Sequence, residues 1–179
     1  EGGRAVMVEA NAEHPILNSV ESFYTPSDIY GIVNLDQDKA TVLMRGQILK
    51  HLDPAAPPVT DGRNDPMMPM AWVKDYHIEG GKPGRVFTTT AGASVDFRSE
   101  DLRRLLVNAS HDLLDLDVPD AANVTTVDPY DPSFYGFLSG DVYLDRGMRV
   151  EDFQLGSSAS IAETPTLNQP PDMSKPTTR

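Results

Sequence analysis

An α/β fold is predicted by three features of this chain. Met70-Ala-Trp-Val-Lys-Asp-Tyr76 and Arg85-Val-Phe-Thr-Thr-Thr90 are β-rich runs separated by Gly80-Gly81-Lys82-Pro83-Gly84. That is the signature of a hairpin longer than a two-residue connection. Beyond them, Ser99 stands where an N-cap is wanted, and Leu102, Leu105, Leu106, Ala109 and Leu113 recur at helical spacing. These leucines and Ala109 define one buried face of the helix.

The other elements follow in chain order. Arg4-Ala-Val-Met-Val-Glu9 is a short apolar run suited to a strand, buried or at an edge. Pro15 restricts His14 to extended geometry, so the chain turns there. Pro26-Ser27-Asp28 carries turn chemistry and precedes alternating Ile29 and Gly31. Thr41 to Leu49 is β-rich at both ends, with Gly46 as a candidate bulge. Residues 53–65, with Pro54, Pro57 and Pro58, are expected to form a surface loop. Glu100 and Asp101 place acid in the first turn of the helix, which is expected to end near Asp117, before Pro119. Arg103, Arg104, Asn108 and His111 fall largely off its apolar face. Val124 to Val127 is a candidate short strand. Tyr130 to Phe137 is aromatic and turn-rich, and residues 156–179 are rich in Ser, Thr and Pro with few apolar anchors.

Charge and composition exclude several classes of function. The formal net charge is −12 over 179 residues. It argues against a nucleic-acid partner and against an anionic membrane surface. Cysteine is absent, which removes disulfides, thiolate metal sites and the cysteine nucleophile of glutamine amidotransferases. No apolar run approaches the ~20 residues of a membrane span, and no secretory leader is visible. The compartment, periplasmic or cytoplasmic, stays open. His14, His51, His77 and His111 show no paired ligand spacing, and the Asp36/Asp38 and Asp115/Asp117 pairs lack the rest of a calcium loop. No metal site is expected, and the residues name no cofactor. The glycine cluster at 80–84 lacks the Lys-Ser/Thr ending of a phosphate loop and feeds a strand, so it reads as a turn.

Six separated stretches carry a family resemblance: His14-Pro15-Ile16, Pro26-Ser27-Asp28-Ile29-Tyr30-Gly31, Gly46-Gln47-Ile48-Leu49, Asn64-Asp-Pro-Met-Met-Pro69 with Ala71-Trp72, Arg85-Val-Phe-Thr-Thr-Thr90, and Arg103-Arg-Leu-Leu-Val-Asn108. Together they resemble the C-terminal part of a ThuA-like (trehalose-utilisation) domain of the planctomycete type. The resemblance covers roughly residues 10–153 and implies a flavodoxin-like, class I glutamine amidotransferase-like α/β fold, incomplete at its N-terminal side. It implies residues 1–118 as domain, 119–155 as a family extension and 156–179 as a tail. Two departures stand out. Ala91-Gly92-Ala93-Ser94 replaces a Leu-Gly-His type ending, as in the planctomycete-type relatives. His111-Asp112 and Asp115 stand where an aromatic pair and a glycine are usual.

The candidate site residues are few. His14 could act as acid, base or ligand, as histidine side chains can, or simply hold the turn. Asp28 is a candidate acid–base group or a turn-former, and Tyr30 a contact for a sugar hydroxyl. Trp72, the sole tryptophan, could stack on a sugar ring or pack in the core. Thr89 and Thr90 end a strand, where open α/β sheets place ligands. Asp96 follows in the next loop as a candidate base or hydroxyl acceptor. Arg103 and Arg104 read as an anion contact or a solvated face.

Two functions from different classes follow. The resemblance implies a role in trehalose-like or keto-sugar metabolism, with His14, Asp28 and Asp96 catalytic and Tyr30, Trp72, Thr89 and Thr90 on the substrate. The alternative is a non-catalytic subunit of a larger assembly. Its partner would be another chain or the N-terminal part of its own domain, with residues 156–179 docked on it.

Overall fold

The computed structural model describes residues 1–130, 132, 144, 147 and 149–154. The chain divides into two units, residues 1–125 and 126–179. Of the second, the described residues include one 3-10 turn, Val150–Phe153. The expectations for residues 131 and 133–137 of the aromatic stretch, and for the docking of 156–179, lie outside the described residues.

The first unit is a two-layer α/β structure. Its sheet consists of β1 (Gly3–Met7), β2 (Phe23–Thr25), β3 (Thr41–Ile48), β4 (Met68–Tyr76) and β5 (Gly84–Thr89). The strand order is β2-β1-β3-β4-β5, and every pairing is antiparallel. The α/β class therefore holds. A flavodoxin-like sheet, by contrast, is built of parallel strands joined by crossover helices, and none of these pairings is parallel. The predicted hairpin is β4–β5, in register from Ala71 opposite Thr89 to Tyr76 opposite Gly84. Thr90 extends that ladder by donating to the Met70 carbonyl at 2.9 Å.

One helix, α1 (Glu100–Leu113), covers the sheet. Ser99 caps it by accepting from the Leu102 amide, as its position predicts. Leu102, Leu105 and Ala109 are buried against Ala5, Leu43, Ala71 and Val73, with Ile16 and Leu17 closing one side of the core. The helix stops short of the expected Asp117. Leu114 is its C-cap, and Asp115 takes a left-handed conformation with φ 53° that reverses the chain.

Three local expectations are corrected. The irregularity in β3 lies between Val42 and Arg45, not at Gly46. Gly46 is needed for room: a Cβ there would stand 2.7 Å from Ile29 Cγ2, and one on Gly3 would stand 2.5 Å from Ile29 Cδ1. The two glycines thus form a shelf on which the Ile29 side chain rests. Residues 124–126 form no strand, although Val124 is buried. Residues 53–65 are not all surface loop, since Ala56 and Val59 are buried and Leu49 bridges Pro58.

Candidate functional site

Asp96 organises the corner at the end of β5. It sits in a 3-10 turn (Ser94–Arg98) and its side chain is fully buried. Oδ1 accepts from the Ser27 amide at 3.2 Å, and Oδ2 accepts from Ser27 Oγ at 2.6 Å. Oδ2 also accepts from the Gly92 and Ala93 amides, each at 3.0 Å. Four donors on a buried carboxylate satisfy it without a cation and tie the 26–30 segment to the loop after β5. Its negative charge reaches Tyr24. Burial chiefly, and then the charges of Asp53 and Asp96, hold that phenol above its usual range.

The segment so tied alternates. Ser27 points in to Asp96 and Ile29 in to the glycine shelf, while Asp28 and Tyr30 are exposed. Asp28 and Tyr30 therefore stand two residues apart on the outward side of a strip anchored at both inward positions. Tyr30 is 54 % exposed. This is the one place where candidate residues from the sequence meet: Asp96 from within, Asp28 and Tyr30 from without, and the loop after Thr89 and Thr90 beside them.

The remaining candidates have other partners. His14 Nδ1 accepts from the Ile16 amide at 3.2 Å and caps the 3-10 turn Pro15–Leu17. Thr89 Oγ1 accepts from the Ala91 amide at 3.1 Å, closing a local turn. Trp72 is 8 % exposed and stands opposite Val42 and Thr88 in the ladder, so its ring offers no open face. No described hydrogen bond joins His14 or Trp72 to the Asp96 corner.

Polar residues of the helix work as tethers. Arg103 donates to the Val124 and Phe97 carbonyls, and Arg104 to those of Ala122 and Ser19. Neither is simply a solvated cation. Asn108 is fully buried, not off the core face, and its amide donates to the Ile16 and Asn18 carbonyls at 3.0 and 2.9 Å. Asn64 does the same elsewhere, donating to the Ile48 and Val59 carbonyls and accepting from the Ile48 amide. A polar residue inside an otherwise apolar motif was the only sequence signal for these roles.

A second polar cluster lies at the other end of α1. Arg85 donates to the Asp112 carbonyl and to Asp115 Oδ1 (2.8 Å), and stands 3.3 Å from Asp112 Oδ2. Asp112 and Asp115 thus meet on one guanidinium. Beside it opens a cleft of about 620 Å³ lined by Asp75, Tyr76, His77, Pro83, Leu113 and Asp115, among others. None of the sequence-derived candidates lines it. Among the described residues no three His, Asp or Glu side chains converge as a metal site, and no helix is long and apolar enough to cross a membrane.

Comparison with family models, with curated proteins and with solved structures gives no match to this chain.

Proposed function

We propose that this chain is part of a ThuA-like domain and binds a carbohydrate, a trehalose-like disaccharide or a keto-sugar, on the outward side of the 27–30 strip. The observation that carries the reading is the alternation of anchored Ser27 and Ile29 with exposed Asp28 and Tyr30. A carboxylate can accept from two vicinal hydroxyls, and a phenol ring can cover the apolar face of a pyranose. Rigid anchoring lowers the entropy lost when such side chains are ordered on a ligand.

The family relation draws support from where the motifs fall. His14 caps a turn, Ile29 and Gly46 pack on each other, Asn64 bridges two strands' flanks, and Arg103, Arg104 and Asn108 tether loops. Each motif thus holds residues on which the local fold depends. A relation to the flavodoxin-like scaffold requires its parallel strands to be separate from this antiparallel sheet.

Asp96 acts in this reading as a positioning residue. With both oxygens occupied by internal donors, it has the geometry of a clamp and not of a solvent-facing base. Isothermal titration of the full chain against disaccharides and keto-sugars tests the proposal. Binding should appear, and Asp28→Asn or Tyr30→Ala should weaken it about tenfold, the loss of roughly 1.4 kcal/mol. Absence of binding across the panel, or binding indifferent to both substitutions, would overturn it.

A further inference from the structure

The cleft beside Arg85 has properties that the sugar reading leaves unused. Its guanidinium is already matched: Asp112 and Asp115 supply the acceptors. Asp75 stands directly opposite Arg85 in the β4–β5 ladder, yet its carboxylate makes no ion pair or hydrogen bond among the described residues. Three carboxylates therefore face one guanidinium, and the local balance is negative.

The lining includes Tyr76, Pro83 and Leu113, and large apolar side chains are exposed next to both walls along the chain. On the hairpin side Tyr76, whose ring lies over Gly84, is followed by Ile78 at 67 % exposure. On the helix side Leu114 and Leu116 are 69 % and 55 % exposed, splayed to either side of left-handed Asp115. Exposed apolar groups flanking a cleft that is itself part apolar mark a surface suited to being covered. A cavity of about 620 Å³ accepts one long side chain together with its neighbour.

Charge decides among the occupants. A second copy of this chain also carries −12 and would bring its own acids to the cleft. A nucleic acid or an anionic lipid surface is repelled by the same field. A basic segment flanked by apolar residues pairs with Asp75 and packs on Tyr76 and Leu113 of the lining. We propose that this cleft docks a lysine- or arginine-bearing segment of a partner protein. The proposal is independent of the carbohydrate reading.

The test uses a short fluorescently labelled peptide alternating lysine with leucine, titrated into the full chain at near-physiological salt and followed by anisotropy. A glutamate-for-lysine version is the counterpart. The lysine peptide should bind and the glutamate peptide should not. Asp75→Lys should weaken binding about tenfold or more, and Tyr76→Ala severalfold. Asp38→Lys makes the same change of charge at an exposed position on a different turn, and should have little effect. Equal weakening by Asp38→Lys would show a diffuse attraction to an acidic protein and overturn the docking site. So would failure of the lysine peptide to bind. Circular dichroism of each variant confirms that the fold is kept.

Discussion

The two polar clusters at opposite ends of α1 are built on opposite plans. At the β5 end, Asp96 is wholly inside the protein and holds four donors. At the hairpin end, Arg85 gathers two carboxylates, Asp112 at 14 % exposure and Asp115 at 91 %, so the cluster opens to solvent on its Asp115 side. The first plan spends hydrogen bonds to hold loops in place. The second leaves charge and apolar surface turned outward. Buried polar groups are costly to orphan, whereas exposed ion pairs add little, so the corner is where the fold is held and the cleft is where it can be altered.

Asp96→Ala should break this contrast most severely. It strands the buried Ser27 hydroxyl and amide, and it unpairs the Gly92 and Ala93 amides nearer the surface. At ~1–3 kcal/mol for each group that finds no water, a loss of about 3 kcal/mol or more is expected in urea unfolding. A loss below ~1 kcal/mol would mean that the corner takes up solvent freely.

Gly46→Ala should come next. The added methyl would meet Ile29 Cγ2 at 2.7 Å, so the 26–30 strip must lift or Ile29 must leave its rotamer. Overpacking of this kind costs about 1–3 kcal/mol. If Ile29 is the anchor, the same substitution should also weaken any ligand held by Asp28 and Tyr30, which titration would read separately from stability.

Arg85→Ala should cost least, about 1 kcal/mol by thermal or urea unfolding: solvent screens the Asp115 pair, and only the largely buried Asp112 loses a close cation. A loss as large as that of Asp96→Ala would erase the distinction between the two ends.

The antiparallel hairpin and α1 were legible in the sequence because each rests on local signals. Two β-rich runs around a glycine cluster and a 3.6-residue repeat from Leu102 suffice, and Ser99 marks where the helix begins. Its end was less legible. Asp115 adopts the left-handed conformation that glycine normally supplies, and Arg85, thirty residues earlier in the chain, is the partner it meets there. Asn108 was assigned to the outer face because it is polar; its true position follows from the Ile16 and Asn18 carbonyls that it satisfies.

The amino-acid order by itself determined the elements, the absence of any thiol chemistry and a strongly acidic surface, since these depend on residue type and on neighbours a few positions away. It did not determine that the sheet is antiparallel throughout, for a strand's own pattern is much the same beside either kind of partner. Nor could it distinguish an Asp96 poised as a base from one clamped by donors. Those donors come from Ser27, sixty-nine positions distant, as well as from Gly92 and Ala93. Only folding brings them within 3.2 Å, and a carboxylate's role is set by the groups that surround it rather than by its place in the chain.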